Sequence, residues 1–244
     1  MRRLLGYIGA LAAILVFWEL AALLINSPAL PTPVATIPLF GQYALKLAPD
    51  FAISLYRVVL AMLIGTALAM PLGLVIGRSE RLNTFFAPLL YLLYPIPKIV
   101  FLPVLLILLG LGDAPKVVLI ALTIFFQVLV TVRDAARTVP EAAIISIRSL
   151  GAHSFDVYRH VVVPACLPEL ITALRISSGT AIAILFFAEA IAGSTGLGYF
   201  IVDSWAMINY PRMFVGIIAM AVLGVLLYEC FDLLERRLLR QKAH

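Results

Sequence analysis

The sequence predicts an all-α integral membrane protein of six transmembrane helices with both termini in the cytoplasm. Three observations carry that expectation. The 244 residues are 63% hydrophobic and 13% charged, with a mean hydropathy of +1.08, whereas a soluble domain is about a quarter charged. Six apolar runs approach or exceed the length a helix needs to cross about 30 Å of hydrocarbon. Lysine and arginine are divided unequally between the connecting segments. With this composition the net charge of +5 reports topology, and no nucleic-acid partner is expected.

The first run, Leu4 to Ile25, follows Met1-Arg-Arg. It is long enough to span, and no small-residue cleavage site follows, so it reads as a retained helix rather than a signal peptide. Pro28, Pro31, Pro33 and Pro38 then mark an extended loop, with a short surface helix within Val34 to Lys46. The second span covers about Ala52 to Gly77. Ala61, Gly65, Ala69, Gly73 and Gly77 recur every four residues along it, a ridge of small side chains that another helix can approach closely. Pro71 is expected to kink it. Arg78 to Arg81 forms a polar turn. The third span, Phe85 to Leu109, is broken by Pro95, Pro97 and Pro103. The fourth covers Lys116 to Val132, the fifth Ile171 to Ala192 and the sixth Met213 to Leu234. Gly193 to Arg212 reads as a glycine-rich loop.

The basic residues test this order. One side receives Arg2, Arg3, Arg78, Arg81, Arg133, Arg137, Arg148, Arg159, Arg236, Arg237, Arg240 and Lys242; the other receives Lys46, Lys116 and Arg212. Arg57, Lys98 and Arg175 fall within or at the edge of spans. This bias places both termini, and the long segment from Val139 to Pro168, in the cytoplasm.

That segment is the longest polar break in the chain. Glu141 to Leu150 has the spacing of a short amphipathic helix, with Ile144, Ile147 and Leu150 three apart on one face. Gly151 is placed to stop it. Such a helix either docks a soluble partner or lies on the lipid surface, and spacing leaves both open.

Little catalytic chemistry is visible. There is no Walker GxxxxGK[ST] loop, no HExxH, no GxSxG and no Cys/His metal spacing. Cys166 and Cys230 suggest neither a disulfide framework nor a metal site. No catalytic residue, metal ligand or cofactor of this chain is therefore expected, and the reading is not an enzyme. Lys98 and Glu189 stand out because a charge in hydrocarbon costs at least about 2.5–3.5 kcal/mol. They either line a translocation path or form structural ion pairs. Arg57 and Arg175 lie nearer span ends and can snorkel, so for them the structural reading is the stronger.

From about Phe51 to Arg240 the chain resembles the permease subunits of binding-protein-dependent ABC importers of type I. Their cytoplasmic loop carries Glu-Ala-Ala, three residues, Gly, nine residues and Ile-x-Leu-Pro. Here Leu150-Gly151-Ala152 is followed at the same distance by Val161-Val162-Val163-Pro164. Glu141-Ala142-Ala143 departs by lying one helical turn early, and the family slots fall on Ile145, Ser146 and Ile147. Pro95-Ile-Pro-Lys98, Gly110-Leu-Gly-Asp113, Leu174-Arg-Ile-Ser-Ser-Gly179 and Ala188-Glu189 with Gly196-Leu-Gly198 resemble the branch importing nitrate, sulfonates, taurine and bicarbonate.

The resemblance implies one permease domain over residues 1–244, with a coupling loop at about 133–168, in a bacterial or archaeal inner membrane. It implies a path for a small polar or anionic solute. The implied partners are a cytoplasmic ATPase dimer holding ATP and Mg, an extracytoplasmic solute-binding protein, a second permease subunit forming a homodimer, and lipid. Glu141, Ile144, Ile145, Ile147, Arg148, Leu150, Gly151, Ala152 and Pro164 would form the ATPase-coupling loop. A self-sufficient secondary transporter or channel is the alternative from another class.

Overall fold

The computed structural model describes residues 2–242, with side chains described for 6–238. Arg2, Arg3, Arg240, Lys242 and His244 thus lie outside the described side chains. Among the described residues every regular element is helical: α1 (Arg2–Ile25), α2 (Pro33–Thr36), α3 (Leu39–Arg78), α4 (Glu80–Leu93), a 3₁₀ turn (Lys98–Phe101), α5 (Leu102–Leu109), α6 (Asp113–Thr138), α7 (Glu141–Ser149), α8 (Ser154–Val157), a π-helical turn (Tyr158–Val162), α9 (Val163–Ala192), α10 (Leu197–Ala206) and α11 (Tyr210–Lys242). Five helical stretches are long and apolar enough to cross a membrane. There are six if α4 and the stretch Lys98–Leu109 count as one span, bent by 82° at the break.

The chain forms two compact units. One contains residues 1–54 and 189–222, the other residues 55–188 and 223–244. In the first, Trp18 of α1 stacks on Phe214 of α11 with ring centroids 5.3 Å apart, and its indole N–H donates to the Pro31 carbonyl at 2.9 Å. This contact fixes the start of the proline-rich connection.

The second unit is built on the seam between α3 and α6. The small-residue ridge faces α6 along its length. A Cβ on Gly65 would sit 2.7 Å from the Ala121 carbonyl oxygen, and one on Gly73 would sit 3.0 Å from that of Leu129. A Cβ on Gly77 would meet the Arg133 carbonyl, while Ala61 and Ala69 are fully buried. In lipid, helices gain little from hiding apolar surface, so close backbone approach and dispersion must hold them together. The helix passes Pro71 without interruption.

Two expectations are corrected. Helix α3 begins at Leu39, not Ala52, and runs 40 residues. The glycine-rich stretch after Gly193 is not all loop, because α10 occupies Leu197–Ala206. The return toward the membrane at Pro164 and Pro168 is made within continuous helix, which runs from Ser154 to Ala192. Proline lacks the N–H that the ladder needs, and the π-helical turn just before Pro164 shifts the ladder, with the Val163 N–H donating to the Tyr158 carbonyl.

Arg57 takes the structural alternative, an ion pair. It does not snorkel to water: it is 1% exposed, and its Nε and Nη2 donate to Asp113 Oδ1 at 2.8 and 2.6 Å. Arg175 also finds carboxylates, with Nη1 3.1 Å from both Asp232 Oδ1 and Glu235 Oε2.

Replacing Gly73 by leucine should lower stability by about 1–3 kcal/mol, the usual cost of overpacking. Gly41→Ala, where an added Cβ meets nothing, should change it little. Thermal unfolding of both variants in detergent checks the difference; equal midpoints would mean the seam is not tightly packed.

Candidate functional site

The polar segment after α6 forms an ordered knob in the second unit. Pro140 opens α7, and Glu141 sits in its first turn, where the helix dipole favours a negative charge. At the other end the Gly151 N–H donates to the Arg148 carbonyl at 2.9 Å and the Ala152 N–H to that of Ile147 at 3.3 Å. This is the Schellman pattern, and it places Gly151 at φ +86°, a conformation costly for a residue with Cβ. The stop expected at Gly151 is therefore present. His153 and Asp156 then form a capping box that starts α8.

Arg78 ties this knob to the seam. Its Nη2 lies 2.7 Å from Glu141 Oε2, and its Nη1 donates to the Ala136 and Val139 carbonyls at 3.4 Å. One guanidinium thus meets the carbonyl-rich end of α6, which the helix dipole makes attractive to a cation, and the Glu141 carboxylate at the start of α7. Glu141, one turn ahead of the family register, is used inside the chain.

The apolar residues of the knob divide in two. Ile144 is 2% exposed and Ile147 half-buried, so Ile144 packs on its own chain and is withdrawn from any partner contact. Ile145, Leu150 and, on α8, Phe155 are 60%, 86% and 71% exposed. Arg148 is exposed on the last turn of α7, and Ala152 and Pro164 are partly buried.

Lys98 and Glu189 meet different partners. Lys98 lies at the break between α4 and α5. Its Nζ donates to the carbonyls of Leu93, Tyr94 and Ile96 at 2.6, 3.1 and 2.8 Å, and it stands 4.5 Å from the centroid of the Phe126 ring. It therefore satisfies carbonyls that the proline break frees at the end of α4.

Glu189 belongs to the first unit and is fully buried. Its carboxylate accepts from Ser54 Oγ at 2.8 and 2.9 Å and from the Gly198 N–H at 2.9 Å. Ser54 Oγ accepts from the Leu197 N–H, and Asp50 Oδ1 accepts from the Gly196 N–H at 2.7 Å. The first N–H groups of α10 are thus met by side chains of α3 and α9. A Cβ on Gly196 would strike the Glu189 carboxyl.

With this geometry the chain can be compared with known proteins. Residues 69–240 match the family described as binding-protein-dependent transport system inner membrane component. The chain belongs to this family. It is 32% identical over 233 residues to the putative aliphatic sulfonates transport permease protein SsuC of Bacillus subtilis, covering 94% of this chain and 84% of that protein. It is likewise 32% identical over 240 residues to the taurine transport system permease protein TauC of Escherichia coli, covering 95% and 87%.

Among solved structures, an inward-facing MetNI methionine ABC transporter has a chain with a TM-score of 0.67 at 20% identity, covering 79% of this chain and 95% of that one. An amino acid ABC transporter with histidines gives 0.60 at 17%, covering 81% and 96%. The fold is that of an ABC importer permease, and the chain is a multi-pass membrane protein.

Sequence reasoning about this permease missed Asp50, Ser54 and the pairing roles of Asp113 and Arg78. The one available signal was polarity inside or at the edge of an apolar run; their partners lie 56 to 146 positions away. Ser54→Ala should leave the buried Leu197 N–H without its acceptor and should cost about 1–3 kcal/mol. Limited proteolysis at Gly193 to Gly196 reads this as faster cleavage; an unchanged rate would show that the contact does not hold α10.

Proposed function

We propose that this permease imports a small anionic organic solute through the inner membrane of a bacterium or archaeon. It works as a homodimer with both termini cytoplasmic, and its 244 residues act as one transport domain. The solute arrives on an extracytoplasmic binding protein. ATP and Mg are held by a separate ATPase dimer, and this chain catalyses no reaction. The relatives named for aliphatic sulfonates and taurine support the solute class.

The observation that carries the reading is the built knob at α7. A helix nine residues long is clamped at both ends and anchored through Ile144 and Arg78, yet it presents Ile145 and Leu150 to solvent. Apolar side chains on a rigid projection suit insertion into a groove of a soluble partner. A push on the knob passes into α6 and α3 as a rigid-body motion, because the joints are a two-residue turn and a shared guanidinium. In a transporter that works alone, the knob would have no task.

The test is affinity purification from native membranes with mass spectrometry of wild type and of Ile145→Asp/Leu150→Asp. An ATPase recovered with wild type and depleted about tenfold or more in the variant, because a buried carboxylate must desolvate, is the expected result. Equal recovery would move docking away from this face. Absence of an ATPase from both would end the importer reading.

A further inference from the structure

The second unit contains a cavity of about 340 Å³ that none of the contacts so far explains. Lys98 lines it from the α4–α5 break, Thr123, Phe126 and Gln127 from α6, and Thr180 and Phe187 from α9. We propose that this cavity is a binding site for a small organic monoanion carrying an apolar chain. The proposal rests on the importer reading and names the class of solute that pauses within the membrane.

Charge is the first argument. Three carbonyl oxygens surround Lys98 Nζ within hydrogen-bond distance, which matches the three protons of an ammonium group. Those protons are used, but the positive charge is not cancelled, because among the described residues no carboxylate lines the cavity. At low dielectric such a charge acts over several ångströms. An anion nearby is favoured without needing a direct bond to Lys98.

Hydrogen bonding is the second. One end of the Gln127 amide faces Thr180 Oγ1 at 3.5 Å, the outer limit of a hydrogen bond. The other end, Oε1, is buried with no hydrogen-bond partner. An unmet buried amide oxygen is unfavourable. The NH₂ group beside Thr180 is held only at 3.5 Å, and since both residues line the cavity, it and the Thr180 hydroxyl can donate to an anionic oxygen.

Shape is the third. Phe126, Phe187 and neighbouring aliphatic groups supply apolar walls for a short chain, and the volume lies at the lower end of the roughly 300–1,000 Å³ of small-molecule sites. A charged head near Gln127 and Thr180 with a tail along the two phenylalanines fits that division.

The experiment uses the full-length chain in nanodiscs of phosphatidylcholine, without binding protein. Calorimetry measures binding of butanesulfonate, with the neutral butanesulfonamide as control. Wild type should bind the sulfonate at least about tenfold more tightly than the sulfonamide. Gln127→Leu and Thr180→Val, which keep size and should leave the melting temperature unchanged, should each weaken it about tenfold.

No sulfonate binding, equal binding of the neutral compound, or unchanged affinity in both variants overturns the site. So does displacement of butanesulfonate by added phosphatidylglycerol, which would make a lipid headgroup the occupant. ATP-driven uptake by the whole transporter is scored separately. Binding without uptake supports the site and sinks the importer reading, and uptake without binding does the reverse.

Discussion

Hydrocarbon offers no hydrogen bonds, so every polar group taken into the membrane must be satisfied by the chain itself. The seam between α3 and α6 is where that constraint is met most completely, and the second unit depends on it. Glycines at 65, 73 and 77 let the backbones touch. At one end Arg57 is neutralised by Asp113, and at the other Arg78 reaches the last carbonyls of α6 and Glu141. The two arginines are 21 residues apart, about 32 Å of helix, close to the thickness of the hydrocarbon core at about 30 Å. A seam of that length can span the apolar layer with its charges at the two edges.

The same constraint explains the remaining charges. Lys98 does at the proline break what water would do in a soluble protein, meeting three carbonyls left without helical partners. In the first unit Glu189, Ser54 and Asp50 meet the opening N–H groups of α10. A short helix inside a membrane protein would otherwise carry several unpaired donors at its start. These side chains share a structural task. The sites with capacity left over are the exposed face of α7 and the cavity beside Gln127.

Much of this was legible in the residues. The ridge was readable because its period of four is that of one helix face. The α7 helix and its stop were readable because Gly151 follows the last apolar position. What stayed hidden depended on distant partners. Nothing near Arg57 points to Asp113, 56 positions on. The place of Arg57 at a span edge allowed a structural role but named no partner. Helix α10 was obscured by the glycines at 193, 196 and 198, though Gly196 is there to make room for the Glu189 carboxyl. Ile144 was grouped with Leu150 by spacing, yet a nine-residue helix lying on its own chain buries one and exposes the other.

The central claim is that the α7 knob drives the membrane helices through Arg78. The most direct measurement is solute imported per ATP hydrolysed, in vesicles, for wild type and Arg78→Met. The methionine keeps the packing of the arginine stem and removes its bonds to Glu141 and to the α6 carbonyls. The account predicts that ATP hydrolysis by the assembled transporter continues while import per ATP falls several-fold. Import per ATP equal to that of wild type would contradict it, and would mean that motion reaches the membrane by another route.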